Sequence, residues 1–328
     1  MIRIAVDGMG GDNAPKIVCE GVNLALKSDN ELEITIFGNE VELLKFLEPS
    51  SRLHIINSPY KVDMGEKNPI SVYRQHSLDA SMFMAIKHVG DGLSDAVVSA
   101  GPTQAYIVGL SLILKKMEGI DRIAIAPILP DVHGRGKILL DGGANIELKP
   151  EHLVEFAVVA SKIAKDVYKW NDNPRVGLIN IGTEPGKGRE FDKDSYKLLS
   201  ECKDINFIGN IEPKECMTGD FEVILGDGFT CNILMKTMEG TGKGVSCILK
   251  DSIKSGPFQL LGAMFMKKSL NKLKFMMNPA SIGGAMIIGL RKIGIKAHGS
   301  SDGLAIKNAI LQAKKIVISN VIETIKKA

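Results

Sequence analysis

Five short segments of this 328-residue chain combine glycines with carboxylates, amides, hydroxyls or a cation, mostly just beyond an apolar run. The first, Asp7-Gly8-Met9-Gly10-Gly11-Asp12-Asn13-Ala14-Pro15, follows Ile4-Ala5-Val6. Gly10 and Gly11 can expose backbone N–H groups to an anion, while Asp7, Asp12 and Asn13 order the turn or position donors. A tight strand-to-helix turn with polar caps reads the same way. The second, Ser99-Ala100-Gly101-Pro102-Thr103-Gln104-Ala105, opens a helix. Ser99, Thr103 and the first helix amides can gather around phosphate, and a plain helix cap needs only one of the two hydroxyls.

The third segment, Asn180-Ile181-Gly182-Thr183-Glu184-Pro185-Gly186-Lys187-Gly188, sets Lys187 between two glycines beyond a strand end. Lys187 can pair with phosphate or stabilise negative charge during transfer, or simply face solvent. The fourth is Gly226-Asp227-Gly228-Phe229-Thr230-Cys231-Asn232. Asp227 and Asn232 meet only if the chain turns sharply before the helix, and local capping explains both. Cys231 is a possible nucleophile toward a thioester, but a small buried packing role accounts for it too, and no cysteine–histidine signature accompanies it. The fifth is Lys296-Ala297-His298-Gly299-Ser300-Ser301-Asp302-Gly303. Here His298 can bind phosphate or give a proton to a leaving thiolate, and it can equally be a turn residue.

These loops need strands to hold them. Short apolar runs recur at Ile34–Phe37, Ala96–Val98, Ile123–Ala126, Ile138–Leu140, Val176–Ile179, Phe207–Ile208 and Val223–Leu225. Such runs suit strands buried on both faces. Helical stretches alternate with them, at Pro15–Leu26, Thr103–Lys116, Glu151–Tyr168 and Thr230–Met238. The pattern predicts an α/β fold, layered α/β/α with a mostly parallel central sheet. In such folds ligands collect at the carboxyl ends of strands, where the loops fall. A single compact catalytic unit over residues 1–328 is expected, with a protruding helical region near 251–280. Two closely packed lobes are the alternative, and the softest boundary lies at Gly142–Glu151.

Composition narrows the classes. Apolar residues at 45% and charged residues at 24% are ordinary for a globular protein. A net charge of +3 and 5% aromatics give no case for nucleic acid. Five scattered cysteines without a CxxC pair fit a reducing compartment and offer no zinc-ligand spacing. The opening Ile2–Val6 strand signal lacks the long apolar core of a secretion signal, and no run is long enough to span a bilayer. A cytoplasmic protein without metal or cofactor is expected. The first loop lacks both the Walker pattern and GxGxxG, which disfavours a nucleotide-binding or dinucleotide dehydrogenase reading.

In combination and in this order, the segments resemble the bacterial phosphate acyltransferase family of phospholipid synthesis. The match is carried by Met9-Gly10-Gly11-Asp12, Ser99-Ala100-Gly101, Lys149-Pro150-Glu151-His152 and Arg175–Gly182 followed by Gly186-Lys187-Gly188. It continues through Asn206–Asn210, Asp227-Gly228-Phe229-Thr230 and Lys296–Ser301. The resemblance covers nearly the whole chain. It implies transfer of a long-chain acyl group from acyl-carrier-protein to inorganic phosphate, giving acyl-phosphate and free carrier. It also implies a homodimer, a fold like that of phosphotransacetylases, and hand-over of product to a membrane glycerol-phosphate acyltransferase. The catalytic group it implies is Lys187, Asp227, Asn232 and His298. Phosphate or substrate would be bound by Asp7, Gly10, Gly11, Asp12, Asn13, Ser99, Gly101, Thr103, Asn180, Gly182 and Gly228.

Departures from the family pattern stand at Gly8 (usually alanine), Pro102 and Gln104 (asparagine and glycine), Cys231 (glycine) and near Gly283–Met286. Two rivals stay open: an acyl-phosphate-forming enzyme using acyl-coenzyme A, and a nonenzymatic membrane-associated scaffold. Between Lys254 and Lys274 five lysines and no acid are interleaved with Phe258, Leu261, Phe265 and other apolar residues. This composition suits transient contact with an anionic membrane at the inner face, or a dimer interface.

Overall fold

The computed structural model describes residues 1–276 and 283–326, without the side chains of 271, 272, 274–276 and 326. Its strands are β1 (Ile2–Asp7), β2 (Leu32–Gly38), β3 (Leu53–Asn57), β4 (Ala96–Ser99), β5 (Ala124–Ala126) and β6 (Ile128–Leu129). They continue with β7 (Lys137–Leu140), β8 (Arg175–Ile179), β9 (Asn206–Ile211), β10 (Val223–Leu225), β11 (Ala285–Ile288) and β12 (Ile293–Lys296). They form two sheets, ordered β3-β2-β1-β4-β12-β11-β5 and β6-β7-β10-β8-β9. Most pairings are parallel; β11 with its two neighbours and β6 with β7 are antiparallel. The layered α/β/α architecture with mostly parallel strands is as the sequence pattern predicts, distributed over two sheets.

Two-sided burial explains the short all-apolar strands. Ile4 and Val6 of β1, with Ala96 and Val98 of β4, join one apolar cluster. The intervening Ala5 and Val97 join another on the opposite face, as the two-residue strand period requires. The first face is covered by helices Lys16–Ser28 and Gly303–Ser319. They pack so closely that a Cβ on Gly21 would lie 2.4 Å from the Cβ of Ile306. Helices Ser81–Gly90 and Thr103–Ile113 cover the other face. The first cluster continues into the second sheet through Leu140, Val176 and Val223, so the two sheets share apolar core.

The chain changes sheets at Pro127, between β5 and β6, upstream of the Gly142–Glu151 boundary expected from sequence. Asp141 fastens this crossing. Its buried carboxylate accepts the N–H of Ile125 in β5 (3.0 Å) and the N–H groups of Gly143 (3.2 Å), Ala144 (3.1 Å) and Asn145 (2.7 Å). The Asn145 side chain donates to it as well (2.9 Å). One side chain thus ties the seven-stranded sheet to the loop leaving the five-stranded one.

Several helices differ from their predicted spans. The helix expected at Thr230–Met238 runs from Gly228 to Lys254, through Gly240, Gly242 and Gly244 and up to the Gly256-Pro257 stop. The Glu151–Tyr168 stretch is α-helical over Pro150–Lys162 and widens to a π-turn at Ile163–Val167. β3, β6, β11 and β12 have no counterpart among the apolar runs picked out by sequence. No helix of the described residues is long and apolar enough to cross a membrane.

Replacing Asp141 by alanine leaves several buried N–H groups without an acceptor. Asp141→Ala is expected to lower the unfolding free energy by about 3 kcal/mol. Denaturant titration checks this, and a loss below about 1 kcal/mol would show that water replaces the carboxylate at little cost.

Candidate active site

β1, β4 and β12 lie side by side and parallel, so the first, second and fifth loops leave one edge of their sheet together. Asp7 ends β1 buried, with its carboxylate accepting the hydroxyls of Ser81 and Ser99, each at 2.7 Å. Burial pushes its pKa up, and the bonds from Ser99 and Ser81 oppose that shift. Ser99 in turn accepts the N–H of Gly101 at 3.0 Å. Its one hydroxyl hydrogen is therefore committed to Asp7, and Ser99 organises the loop without a donor left for phosphate.

The loops touch backbone to backbone. A Cβ on Gly10 would lie 2.4 Å from Asp7 Oδ2 and 2.6 Å from the Gly101 nitrogen, so only glycine fits. Gly11 has φ +116°, a left-handed conformation, and Asp12 donates its N–H to the Gly299 carbonyl at 2.9 Å. Asn13 is exposed, and its carbonyl accepts the N–H of Ile17 in the helix that follows. Thr103 is the exposed first residue of its helix, whose N-cap, Pro102, makes no side-chain capping bond. The departure at Gly8 has a steric reason, since a Cβ there would meet the Phe37 carbonyl at 2.8 Å and Ile36 Cγ1 at 2.9 Å.

On the other sheet β7, β10 and β8 are likewise adjacent and parallel. Asn180, after β8, accepts the N–H of Ile181 (2.8 Å) and donates to the Lys187 carbonyl (3.0 Å), closing the third loop around Gly182. The Lys187 side chain is 49% exposed and stands 4.0 Å from Glu184, a loose pair that leaves its charge available. Asp227, after β10, caps the long helix by accepting the Thr230 N–H at 2.7 Å. Its other oxygen binds the Arg189 guanidinium at 2.6 Å. Arg189 also holds Asp192, and the two carboxylates, Asp192 foremost, raise its pKa further. Gly228 donates to the Asn145 carbonyl at 2.9 Å. Asn232 packs against Gly143, where a Cβ would lie 2.6 Å from its Nδ2, and its amide makes no hydrogen bond to the described residues. Asp227 and Asn232 thus stand at the N-cap and in the second turn of one helix, and do not bond each other.

Cys231 is fully buried, donates its S–H to the Leu140 carbonyl at 3.4 Å, and has its pKa pushed far up by burial. Such a thiol is a packing group, unsuited to nucleophilic attack. His298 faces the long helix. Its Nδ1 accepts the Ser300 N–H at 3.2 Å, which leaves Nε2 as the nitrogen that bears hydrogen in the neutral ring. Partial burial, then Lys236, lowers its pKa, with Lys296 and Lys243 adding to the shift and Glu239 opposing it. Lys236, Glu239 and Lys243 belong to the helix that begins at Gly228, so the fifth loop of one sheet faces the fourth loop's helix from the other. No grouping of three or more His, Cys, Asp or Glu side chains suited to a metal occurs among the described residues.

Asp141 and Arg189 of this region were not picked out from sequence, and Lys296, which opens the fifth segment, was given no role. A usable signal existed for the first. Asp7-Gly8, Asp141-Gly142 and Asp227-Gly228 are all Asp-Gly pairs at strand ends, and each aspartate accepts backbone N–H groups of its own loop. Arg189 had no signal beyond following Gly188. Lys296 ends β12, a strand the apolar-run criterion passes over.

Residues 2–324 match a family model described as "Fatty acid synthesis protein". The chain is 48% identical over 327 residues to a phosphate acyltransferase of Acholeplasma laidlawii, covering 99% of this chain and 98% of that one. It is 40% identical over 324 residues to one of Shouchella clausii, covering 99% and 97%. Among solved structures it resembles a phosphotransacetylase from Streptococcus pyogenes, with TM-score 0.62, 17% identity, and 97% and 94% of the two chains covered. A branched-chain phosphotransacylase from Enterococcus faecalis gives TM-score 0.57 at 13% identity, with 96% and 99% covered. These two likenesses bear on the fold. The full-length sequence matches go further: this chain belongs to the phosphate acyltransferase family and is an acyltransferase.

Proposed function

We propose that the protein transfers a long-chain acyl group from acyl-carrier-protein to inorganic phosphate, without a covalent acyl-enzyme. The observation that carries this reading is the division of groups at the strand ends. Lys187, Asn232 and the uncapped first turn at Thr103 are uncommitted, whereas the Cys231 thiol is sealed in the core. Phosphate held at the helix N-terminus and by Lys187 attacks the thioester carbonyl. A C–O bond forms and the C–S bond breaks. Asn232 donates to the developing oxyanion, Asp227 with Arg189 fixes the start of its helix, and the proton that phosphate gives up passes to the departing thiolate through His298 or water. The acyl-phosphate then passes to a membrane glycerol-phosphate acyltransferase.

The protein meets the membrane through its outer helices. Helix Pro257–Phe265 exposes Phe258 (84%), Leu261 (53%) and Phe265 (84%) along one side. Lys254 precedes it, and Lys267 and Lys268 follow. The side chains of Lys272, Lys274, Phe275 and Met276, together with Met277, lie outside the described residues. Three unpartnered large apolar groups beside lysines fit an anionic interface, with the aromatic rings inserted shallowly and the lysines at headgroup level. The protein is taken to work as a homodimer at the cytoplasmic face, and the same helices are where a second copy would compete with lipid.

Incubation with long-chain acyl-carrier-protein should consume thioester only when phosphate is present, and hydroxylamine should trap acyl-phosphate as the hydroxamate. Equal thioester loss without phosphate contradicts the reading. Turnover with acyl-coenzyme A alone moves the donor to coenzyme A, and no turnover with either leaves a scaffold.

Sedimentation with phosphatidylglycerol vesicles should exceed that with phosphatidylcholine and weaken with salt. It should fall in a folded, active Phe258→Ser and Phe265→Ser double variant. Loss of the dimer with no lipid dependence would assign this surface to the partner copy.

A further inference from the structure

The row of strand-end residues continues one strand beyond Ser99. β12 runs parallel to β4 with Lys296 level with Ser99, and β1 runs parallel to β4 with Val6 level with Val98. Asp7, Ser99 and Lys296 therefore end three adjacent strands on one face, as carboxylate, hydroxyl and ammonium. Lys296 is only 9% exposed. Its ammonium donates to the Ala297 carbonyl and forms no ion pair among the described residues. Asp7 and Asp12 act on it through space only. An ammonium has three hydrogens to donate, so this buried charge keeps donors in hand, and a buried charge with so few partners calls for a reason.

The surroundings supply one. Beyond these strand ends the loops of Gly10, Gly101 and Gly299 approach within contact distance, and the helix beginning at Thr103 presents an uncapped first turn. Ser99 has no hydrogen left to offer, since Asp7 takes it. Lys187 belongs to a strand-end loop of the other sheet and is half exposed. A doubly charged phosphate held only by an outer lysine and backbone amides would lack a fixed cation on its buried side.

We propose that Lys296 is that cation: its ammonium donates to an oxygen of the phosphate acceptor bound at the first turn of Thr103–Ile113, opposite Lys187. This assignment rests on the reaction proposed above and adds to it the residue that binds the acceptor from within. Asp7 holds the charge in place without neutralising it by direct contact, because both its oxygens are already occupied by Ser81 and Ser99.

The protonation behaviour provides an independent readout. Burial brings the Lys296 pKa down to about 8, with Asp7 and Asp12 opposing. The group is charged below that pH and neutral above it, so phosphate affinity is present at neutral pH and is lost as pH rises through about 8. Asp7 and Asp12 are the charges acting on it; His298 on its own loop feels it in turn, together with Lys236, Glu239 and Lys243 of the facing helix, and Tyr106 lies on the helix beginning at Thr103. Tyr106 is held well above its ordinary value by burial and does not titrate in this interval.

The test is steady-state kinetics of the full chain with acyl thioester and inorganic phosphate, from about pH 6.5 to about pH 9.5. Lys296→Met should raise the phosphate KM about tenfold or more while leaving the thioester KM within about twofold. Wild-type kcat/KM for phosphate should fall above about pH 8, and Lys296→Arg, which stays charged, should move that fall upward. An unchanged phosphate KM in Lys296→Met overturns the assignment. So does the same alkaline fall in Lys296→Arg, a comparison that decides the matter if the methionine variant does not fold. Phosphate-independent thioester loss by the wild type would overturn the underlying reaction as well, and is read separately from either variant.

Discussion

The buried carboxylate of Asp141 is the constraint on which the rest of the site depends. It accepts N–H groups from Ile125 in one sheet and from Gly143, Ala144 and Asn145 in the loop leaving the other. That loop then supplies the Asn145 carbonyl for Gly228 and the bare Gly143 backbone for Asn232. Two separate sets of strand ends are thereby fixed relative to each other through one side chain. A positioning error of an ångström at this joint would be passed directly to Asn232, and catalytic groups tolerate little of that.

The site is built with most of its polar groups committed before substrate arrives. Asp7, Ser81, Ser99 and Gly101 bind one another, as do Asp227, Arg189 and Asp192. What remains available is a small set: the Lys187 ammonium, the Asn232 amide, the first turn at Thr103 and the spare hydrogens of Lys296. Donors preorganised in this way need little rearrangement as negative charge develops. Carboxylates near an anionic substrate would otherwise repel it; the Arg189 guanidinium offsets Asp227 and Asp192, and the Lys296 ammonium acts through space on Asp7.

Much of the fold was legible because its strands are short and buried on both faces, which makes them continuous apolar runs. β12 escaped notice because Gly294 and Lys296 interrupt its pattern, whereas β11, Ala285–Ile288, is a continuous apolar run that was passed over; in the structure Gly294 admits Leu110 and Lys296 stands level with Ser99. The five loops were visible as glycine clusters after strands, but which side chains would be free was not. Ser99 is the clear case, since nothing in the sequence tells that Asp7, ninety-two residues away, takes its hydrogen. Cys231 is the converse: only the packing under the Leu140 carbonyl decides between nucleophile and filler. Long-range partners of this kind depend on strand order, which local pattern does not encode.

The central claim is that loops from the two sheets form a single phosphate site. A double-mutant cycle pairing Lys187→Met with Lys296→Met, read as kcat/KM for phosphate, tests it most directly. If both cations hold the same anion, the losses should be non-additive, with a coupling energy of at least about 1 kcal/mol. Additivity within about 0.5 kcal/mol would mean that the two lysines act on separate sites, and the account of one shared site would be wrong.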